Sequence, residues 1–331
     1  MNKRVLVLGS AGMLGHKVCE LLSSYSKRLD FGLDGSERVE GVYTKYMTEE
    51  ERASNNAQNS SVKSISGFEV IAAFRVAPQE LESCYRGVHI LDKVDVLDDS
   101  TLRKTFIEVR PDIVINCIGI VKQLNEAYDR YLSVAINSFL PHRLSRLGDE
   151  YNARLYHIST DCVFNGKKGM YQESDLSDAE DIYGKSKFLG ETDDTEMNAL
   201  TLRTSIIGRE LKSSTHGLLE WMIKQQGKKI KGFTKAIYTG FTTTEFTHVL
   251  IRLINEYPTL HGLYHLASDP ISKYDLLNLI NDIYELDVVI EPDNEFVCDR
   301  SLVMTRFKEA TSYCAPTWGK MITDMRNEKG Y

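Results

Sequence analysis

The sequence predicts an α/β fold, a doubly wound parallel sheet with a smaller C-terminal lobe. Short apolar runs with the length of buried strands recur along the chain, and helical stretches separate most of them. A glycine-rich turn follows the first run directly. Alternation of strands and helices at this spacing is typical of a parallel sheet that helices cover on both faces.

Six apolar runs are the candidate strands. The first, Val5 to Leu8, has the composition of a strand buried on both faces. Ligands of open α/β folds bind at the carboxyl ends of such strands. Functional residues are therefore expected directly after the runs. The other five runs are 70–74, 113–117, 154–158, 200–203 and 263–266.

The glycine-rich turn contains Gly9, Gly12 and Gly15 and opens a helix. Glycine permits a tight turn, and it lets backbone N–H groups approach a pyrophosphate at the positive end of the helix. The placement predicts a Rossmann-like dinucleotide site rather than a purely structural turn. Met13 and Leu14, at the start of the helix, are assigned to the same site.

The second strand ends at Arg75, where an NAD site would have Asp or Glu for the ribose hydroxyl. A guanidinium suits a 2′-phosphate, so we expect NADP(H), with NADH as the alternative. A solvated arginine at a strand end is the other interpretation. Further cofactor contacts are predicted at Asp95 and Val96 before a helix, and at Cys117, Ile118 and Gly119 after the third strand.

Tyr183 and Lys187 are four residues apart, so a helix places both on one face. Thr160 lies just after the fourth strand. Carbonyl reduction needs a proton donor, and a phenol can act if a cation such as Lys187 lowers its pKa from roughly 10. Thr160 would polarise the carbonyl. The alternative is a surface Tyr and Lys with Thr160 as a cap.

These motifs resemble the extended short-chain dehydrogenases/reductases, and within them the dTDP-4-dehydrorhamnose reductase-like branch. The resemblance covers nearly the whole chain except the polar segment described below. It rests on the glycine motif and on segments 111–117, 159–164, 183–191, 202–205, 306–307 and 316–318.

The resemblance implies a Rossmann domain, NAD(P)H, and reduction of a 4-keto group on a nucleotide-linked 6-deoxy sugar, in surface polysaccharide sugar biosynthesis. It implies that Thr160, Tyr183 and Lys187 are catalytic, the latter two also contacting the cofactor. One departure matters: the rhamnose enzymes have Trp-Val after Leu-Arg-Thr-Ser, whereas this chain has Ile206 and Ile207. UDP-linked N-acetylated deoxy sugars therefore stay open as substrates.

A nucleotide-diphosphate sugar needs cations and hydrogen-bond donors. Arg209, Lys231 and Arg300 lie in the part of the chain that would face it, and Thr160 and Asp161 are the candidates on the catalytic side. Each of these cations could instead be an ordinary surface residue.

Two other functions stay open. A sugar-nucleotide epimerase or dehydratase uses the same fold, but dehydratases usually have Asp-Glu after the Thr, and here Asp161 is followed by Cys162. The other is a non-catalytic NADP-binding protein, since one branch of the family that this chain resembles is a regulatory subunit of methionine adenosyltransferase. Such a subunit would not need the intact Thr, Tyr and Lys.

Composition narrows the class further. The net charge of −7 disfavours nucleic acid, and the six cysteines form no C-x-x-C pair. We expect no metal and no membrane partner, a cytoplasmic location, and leave a homodimer open.

The domain boundaries follow from the pattern. We predict an NAD(P)-binding domain over 1–204, to which 234–267 returns, and a substrate-binding lobe over 205–233 and 268–331. A polar insertion, rich in Ser, Asn, Glu and Lys, spans about 23–67 with a short helix near Thr48–Arg52.

Overall fold

The structure is a computed structural model that describes residues 2–30, 67–77, 85–121, 129–192, 198–211 and 217–328. Its centre is a seven-stranded parallel sheet in the order β10-β6-β5-β4-β1-β2-β3, which confirms the predicted fold class. The strands are β1 (Lys3–Leu8), β2 (Phe68–Ala73), β3 (His89–Leu91), β4 (Ile113–Asn116), β5 (Arg154–Thr160), β6 (Ala199–Thr204) and β10 (Gly262–His265).

Both faces of this sheet are covered. Along β1, Val5 and Val7 pack into one apolar cluster, whereas Leu6 and Leu8 pack into another on the opposite face. Alternating side chains point to opposite faces of a strand, so a strand buried on both sides is apolar throughout. The helices and helical segments are α1 (Met13–Asp30), α2 (Asp99–Val109), α3 (Arg130–Ser133), a π-helical segment (Val134–Phe139), α4 (Leu140–Tyr151), α5 (Ile182–Leu189), α6 (Leu218–Ile223), α7 (Thr243–Glu256), α8 (Lys273–Tyr284), α9 (Thr305–Thr311) and α10 (Trp318–Arg326).

The lobe is built on a second sheet of three strands. β8 (Lys229–Tyr238) lies between β11 (Ile271–Ser272), which is antiparallel to it, and β12 (Val289–Asp299), which is parallel. Because β8 and β12 are parallel, their carboxyl ends lie side by side. A third, two-stranded sheet pairs β7 (Ile206–Ile207) with β9 (Phe241–Thr242).

Two details differ from the sequence prediction. β3 was missed because it has three residues, none of them buried. α1 continues to Asp30, so the helix occupies the start of the predicted insertion; Ser26 Oγ accepts from Phe68 N at 2.6 Å and joins α1 to β2. The short helix near Thr48–Arg52 lies outside the described residues.

The return to the main domain also begins later than residue 234. β8 continues unbroken to Tyr238 in the lobe sheet, where hydrogen bonding to β12 keeps it. No helix in the described part of the chain is long and apolar enough to cross a membrane.

Candidate active site

The glycine turn has the geometry of a dinucleotide cradle. Gly9 has a φ of +81°, and a Cβ there would lie 2.8 Å from the Cys117 carbonyl carbon. A Cβ on Gly15 would overlap the Gly9 carbonyl. Only glycine fits at these two points. Because neither residue has a side chain, the start of α1 can lie against the ends of β1 and β4. A diphosphate group fits the resulting backbone groove.

The other predicted cofactor residues lie around this groove. Cys117 N donates to Leu8 O at 3.0 Å, which holds the end of β4 beside the glycine turn, with Ile118 and Gly119 following. Gly12 and Met13 are at least partly exposed at the turn. Leu14 is buried in the core, so only its backbone can face the groove.

Arg75 lies just beyond the carboxyl end of β2, and it is exposed. Asp95 Oδ1 accepts from Leu97 N at 2.9 Å, so its carboxylate holds a turn, and Val96 is buried beside it. The roles of Arg75, Asp95 and Val96 in cofactor binding stay predictions.

The catalytic helix α5 packs directly on the end of β5. Asp181 caps it by accepting from Gly184 N at 2.8 Å. A Cβ on Gly184 would overlap the Cys162 carbonyl. Because residue 184 is glycine, Tyr183 can reach Thr160, whose hydroxyl is hydrogen-bonded to the phenol. The structure thus brings these two predicted residues together.

The acid–base state of Tyr183 differs from the prediction. Burial raises the pKa of the phenol above its ordinary value, the nearby Cys162 raises it further, and the hydrogen bond with Thr160 opposes them. The Thr160 hydroxyl itself donates to Asp161 Oδ1 at 3.2 Å. At neutral pH the phenol is therefore protonated, which is the form that can donate a proton to a carbonyl oxygen.

Lys187 is buried, and its ammonium donates to the Ile158 carbonyl at 2.6 Å. Burial lowers the pKa of Lys187 to about 8, and Glu191 opposes this shift most strongly. The amine lies between β5 and α5, so it is held by the strand that carries Thr160.

Two supporting groups were missed from the sequence. Asn137, in the π-helical segment, donates to Ser186 Oγ at 3.1 Å and accepts from Ile120 N at 2.9 Å, which holds α5 to the loop after β4. A π-helical turn is frequent at functional sites, but its presence is not readable from residue spacing.

The second group is a buried ion pair. Glu191 accepts from Arg203 Nε at 2.7 Å and Nη2 at 2.6 Å, and from Ser159 Oγ at 2.6 Å. Burial and Arg203 lower the pKa of His265 to about 3, so this ring is neutral and accepts from the guanidinium at 3.2 Å. The pair ties the end of α5 to β5, β6 and β10.

Two of the predicted substrate residues, Asp161 and Arg300, reach the catalytic end of the sheet. Asp161 is buried directly after Thr160. Arg300 Nε donates to the Phe164 carbonyl at 2.7 Å, and its Nη1 lies 3.8 Å from Cys162 Sγ. Arg300 and Asp181 border a cavity beside α5.

The other two predicted cations do not form part of this cluster. Arg209 is engaged with Glu220, its Nε donating at 2.6 Å. Lys231 is 71% exposed and pairs with Asp293 at 3.3 Å. It lies seven residues before Tyr238 on β8, or roughly 23 Å at about 3.3 Å per residue. The role of Lys231 in substrate binding therefore stays a prediction.

The described residues contain no group of three or more His, Cys, Asp or Glu side chains placed to hold a metal ion.

The comparisons with known proteins agree with this geometry. The family model described as "RmlD substrate binding domain" matches residues 62–297. The spore coat polysaccharide biosynthesis protein SpsK of Bacillus subtilis (strain 168) is 32% identical over 208 residues, which is 60% of this chain and 70% of that protein.

Solved structures share the fold over almost the full length. dTDP-4-dehydrorhamnose reductase (rfbD) from Bacillus anthracis str. Ames, in complex with NADP, superposes with a TM-score of 0.69 at 19% identity, covering 98% of this chain and 99% of that one. WbmG from Bordetella bronchiseptica, in complex with NAD and UDP, has a TM-score of 0.69 at 16% identity, covering 98% and 93%.

Proposed function

The chain belongs to the RmlD substrate binding domain family, and we propose that it is an NADPH-dependent reductase of a nucleotide-linked 4-keto-6-deoxy sugar in surface polysaccharide biosynthesis. The observation that carries this proposal is the hydrogen-bonded pair of Thr160 and a protonated Tyr183 at the same sheet edge as the glycine cradle. The sugar class is supported by the relatives, whose names include a polysaccharide biosynthesis protein and a dTDP-4-dehydrorhamnose reductase.

NADPH would be held by the backbone of the Gly9–Gly15 turn, with Arg75 at the end of β2 facing the adenosine 2′-phosphate. When bound, this cofactor supplies a hydride to the sugar carbonyl carbon. The proposal of NADPH rests on the guanidinium and on the lack of a carboxylate at residue 75. A structural neighbour was crystallised with NADP and another with NAD, so NADH stays the alternative.

Thr160 and Tyr183 would act on the carbonyl oxygen of the sugar. Thr160 donates a hydrogen bond to the carbonyl oxygen and polarises it. Tyr183 then gives its phenolic proton to that oxygen as negative charge develops. Lys187 places a buried ammonium group between β5 and α5, where it donates to the Ile158 carbonyl.

The residue after Asp161 argues against a sugar-nucleotide dehydratase. Cys162 has a thiol there that faces Arg300, whereas the dehydratases have a glutamate as a second acid–base group. A net reductase consumes one NADPH for each sugar, whereas epimerases and dehydratases consume none.

The test is NADPH oxidation with a panel of dTDP- and UDP-linked 4-keto-6-deoxy sugars, including N-acetylated ones, followed by absorbance. We expect turnover with at least one sugar and strict dependence on NADPH. Turnover of the panel without NADPH consumption would contradict the proposal in favour of an epimerase. No turnover despite tight NADPH binding would favour a regulatory subunit.

A further inference from the structure

Two hydrogen-bond donors in the lobe face the catalytic strand and have no role in the chemistry above. The ammonium of Lys273 lies 3.9 Å from the centroid of the Tyr238 ring, and it has no hydrogen-bond acceptor among the residues that the structure describes. The Tyr238 hydroxyl is buried and has no hydrogen-bond partner. Burying a hydroxyl such as that of Tyr238 without a partner is costly, so a bound ligand is expected to satisfy it, with the partly buried Lys273 beside it.

Three lobe elements place these donors at the site. Tyr238 is the last residue of β8, and Lys273 is the first residue of α8. β11, which pairs with β8 through Ile271 and Tyr238, leads directly into α8. Trp318 closes the far side, with its ring 5.3 Å from that of Tyr238 and its Nε1 donating to Asp269 O at 2.7 Å.

The opposite wall is Asp161, the residue directly after Thr160. Burial lowers the pKa of Lys273 to about 8, and Asp161 is the group that opposes this shift most strongly. The same carboxylate adds to the effect of burial in raising the pKa of the Tyr238 hydroxyl. The Tyr238 hydroxyl lies at the same edge of the main sheet, because a Cβ added to Gly240 would overlap both this hydroxyl and the Ser205 carbonyl. Ser205 directly follows Thr204, which pairs with Thr160 across β6 and β5.

This combination selects a particular kind of group. A hydroxyl both donates and accepts, so it can donate to Asp161 while it accepts from Lys273. An anionic group would gain from Lys273 but would meet the charge of Asp161. The aromatic rings of Tyr238 and Trp318 provide an apolar wall for the sugar ring behind it.

We infer that Asp161, Lys273 and Tyr238 bind the hydroxyl on the sugar carbon next to the reacting carbonyl. This inference rests on the proposed function, in which Thr160 binds the oxygen at carbon 4. In a 6-deoxy sugar the neighbouring hydroxyl is the one on carbon 3. The lobe would thereby select sugars by their 3-hydroxyl.

The test is calorimetric binding to the full-length protein. The probes are dTDP, dTDP-6-deoxyglucose and its 3,6-dideoxy counterpart, with the UDP series in parallel. We expect the wild type to bind the 3-hydroxy sugar about ten- to a hundredfold more tightly than the 3-deoxy sugar, the usual scale for a hydrogen bond to a charged group. Lys273→Met should abolish that difference and leave the affinity for dTDP or UDP alone unchanged.

Two further variants control the experiment. Tyr238→Phe keeps the ring beside Lys273 and should lose part of the preference, which keeps the inference testable if Lys273→Met does not fold. Lys308→Met removes an exposed lysine on α9 and should change nothing. NADPH affinity reports whether each variant is folded.

The outcomes separate two proposals. If Lys273→Met weakens the nucleotide alone as much as the sugar nucleotide, Lys273 binds the diphosphate and the inference is overturned. An unchanged preference in both Lys273→Met and Tyr238→Phe overturns it as well. A wild type that prefers the 3-hydroxyl but reduces no keto sugar overturns the proposed function alone, and binding of neither nucleotide series overturns both.

Discussion

The ion pair behind the catalytic helix offers the sharpest structural prediction. Arg203 and Glu191 have side chains that are 2% and 5% exposed. Glu191→Gln keeps the shape but removes the charge, and its amide would turn one N–H group toward the guanidinium. Breaking a buried pair in this way leaves an uncompensated charge and costs about 3–5 kcal/mol of unfolding free energy.

Urea unfolding of the full-length protein measures this loss. The matched control is Glu150→Gln, which breaks a pair with Arg103 whose side chains are 44% and 46% exposed, so we expect no measurable change there. If the two variants lose the same stability, the Glu191–Arg203 pair does not hold the site together and the argument fails.

The same variant has a second readout in the pH profile. Glu191 is the main group that opposes the lowering of the Lys187 pKa. Lys187 is charged below its pKa and loses its proton as pH rises through about 8. Removing Glu191 lowers that pKa further, so any decline of kcat/KM on the alkaline side should move to lower pH in Glu191→Gln and stay in place in Glu150→Gln.

Three other predictions concern the cofactor, the proton donor and the insertion. Tyr183→Phe should lower kcat by at least about a hundredfold with NADPH affinity nearly unchanged; activity within a few-fold of wild type would remove Tyr183 from the mechanism. Arg75→Ala should weaken NADPH binding about ten- to a hundredfold and leave NADH nearly unaffected; a wild type that binds both equally would contradict this. Replacing 31–66 with a short Gly/Ser linker, while keeping the Ser26–Phe68 contact, should leave kcat within a few-fold, because α1 leads into β2 at the edge opposite the ligands. A folded deletion that binds NADPH without turnover would show that the segment contributes to the site.

The parts of the site that the sequence predicts are local in the chain. Gly9 and Gly15, and Tyr183 with Lys187, are recognisable because turn and helix geometry dictate their spacing. Thr160 is recognisable because it follows an apolar strand. The structure also explains how Tyr183 reaches Thr160, because a side chain at residue 184 would overlap the Cys162 carbonyl.

The remainder depends on contacts between distant parts of the chain. Lys273 and Tyr238 are 35 positions apart and meet only through the pairing of β11 with β8. The distance of Lys231 from Tyr238 along β8 is likewise set by strand geometry and cannot be read from the order of residues in the lobe. Burial of Lys187 and Tyr183 also shifts their pKa values. The spacing of residues in the sequence does not show how deeply a side chain will be buried.

The most direct test of the central claim follows the hydride itself. NADPH carrying deuterium at the transferable position of the nicotinamide is incubated with the 4-keto sugar nucleotide, and the product is analysed by NMR. The account predicts one deuterium at carbon 4 of the sugar for each NADPH consumed, and loss of this labelling in Tyr183→Phe. A sugar product that forms without deuterium at carbon 4, or with NADPH unconsumed, would contradict it.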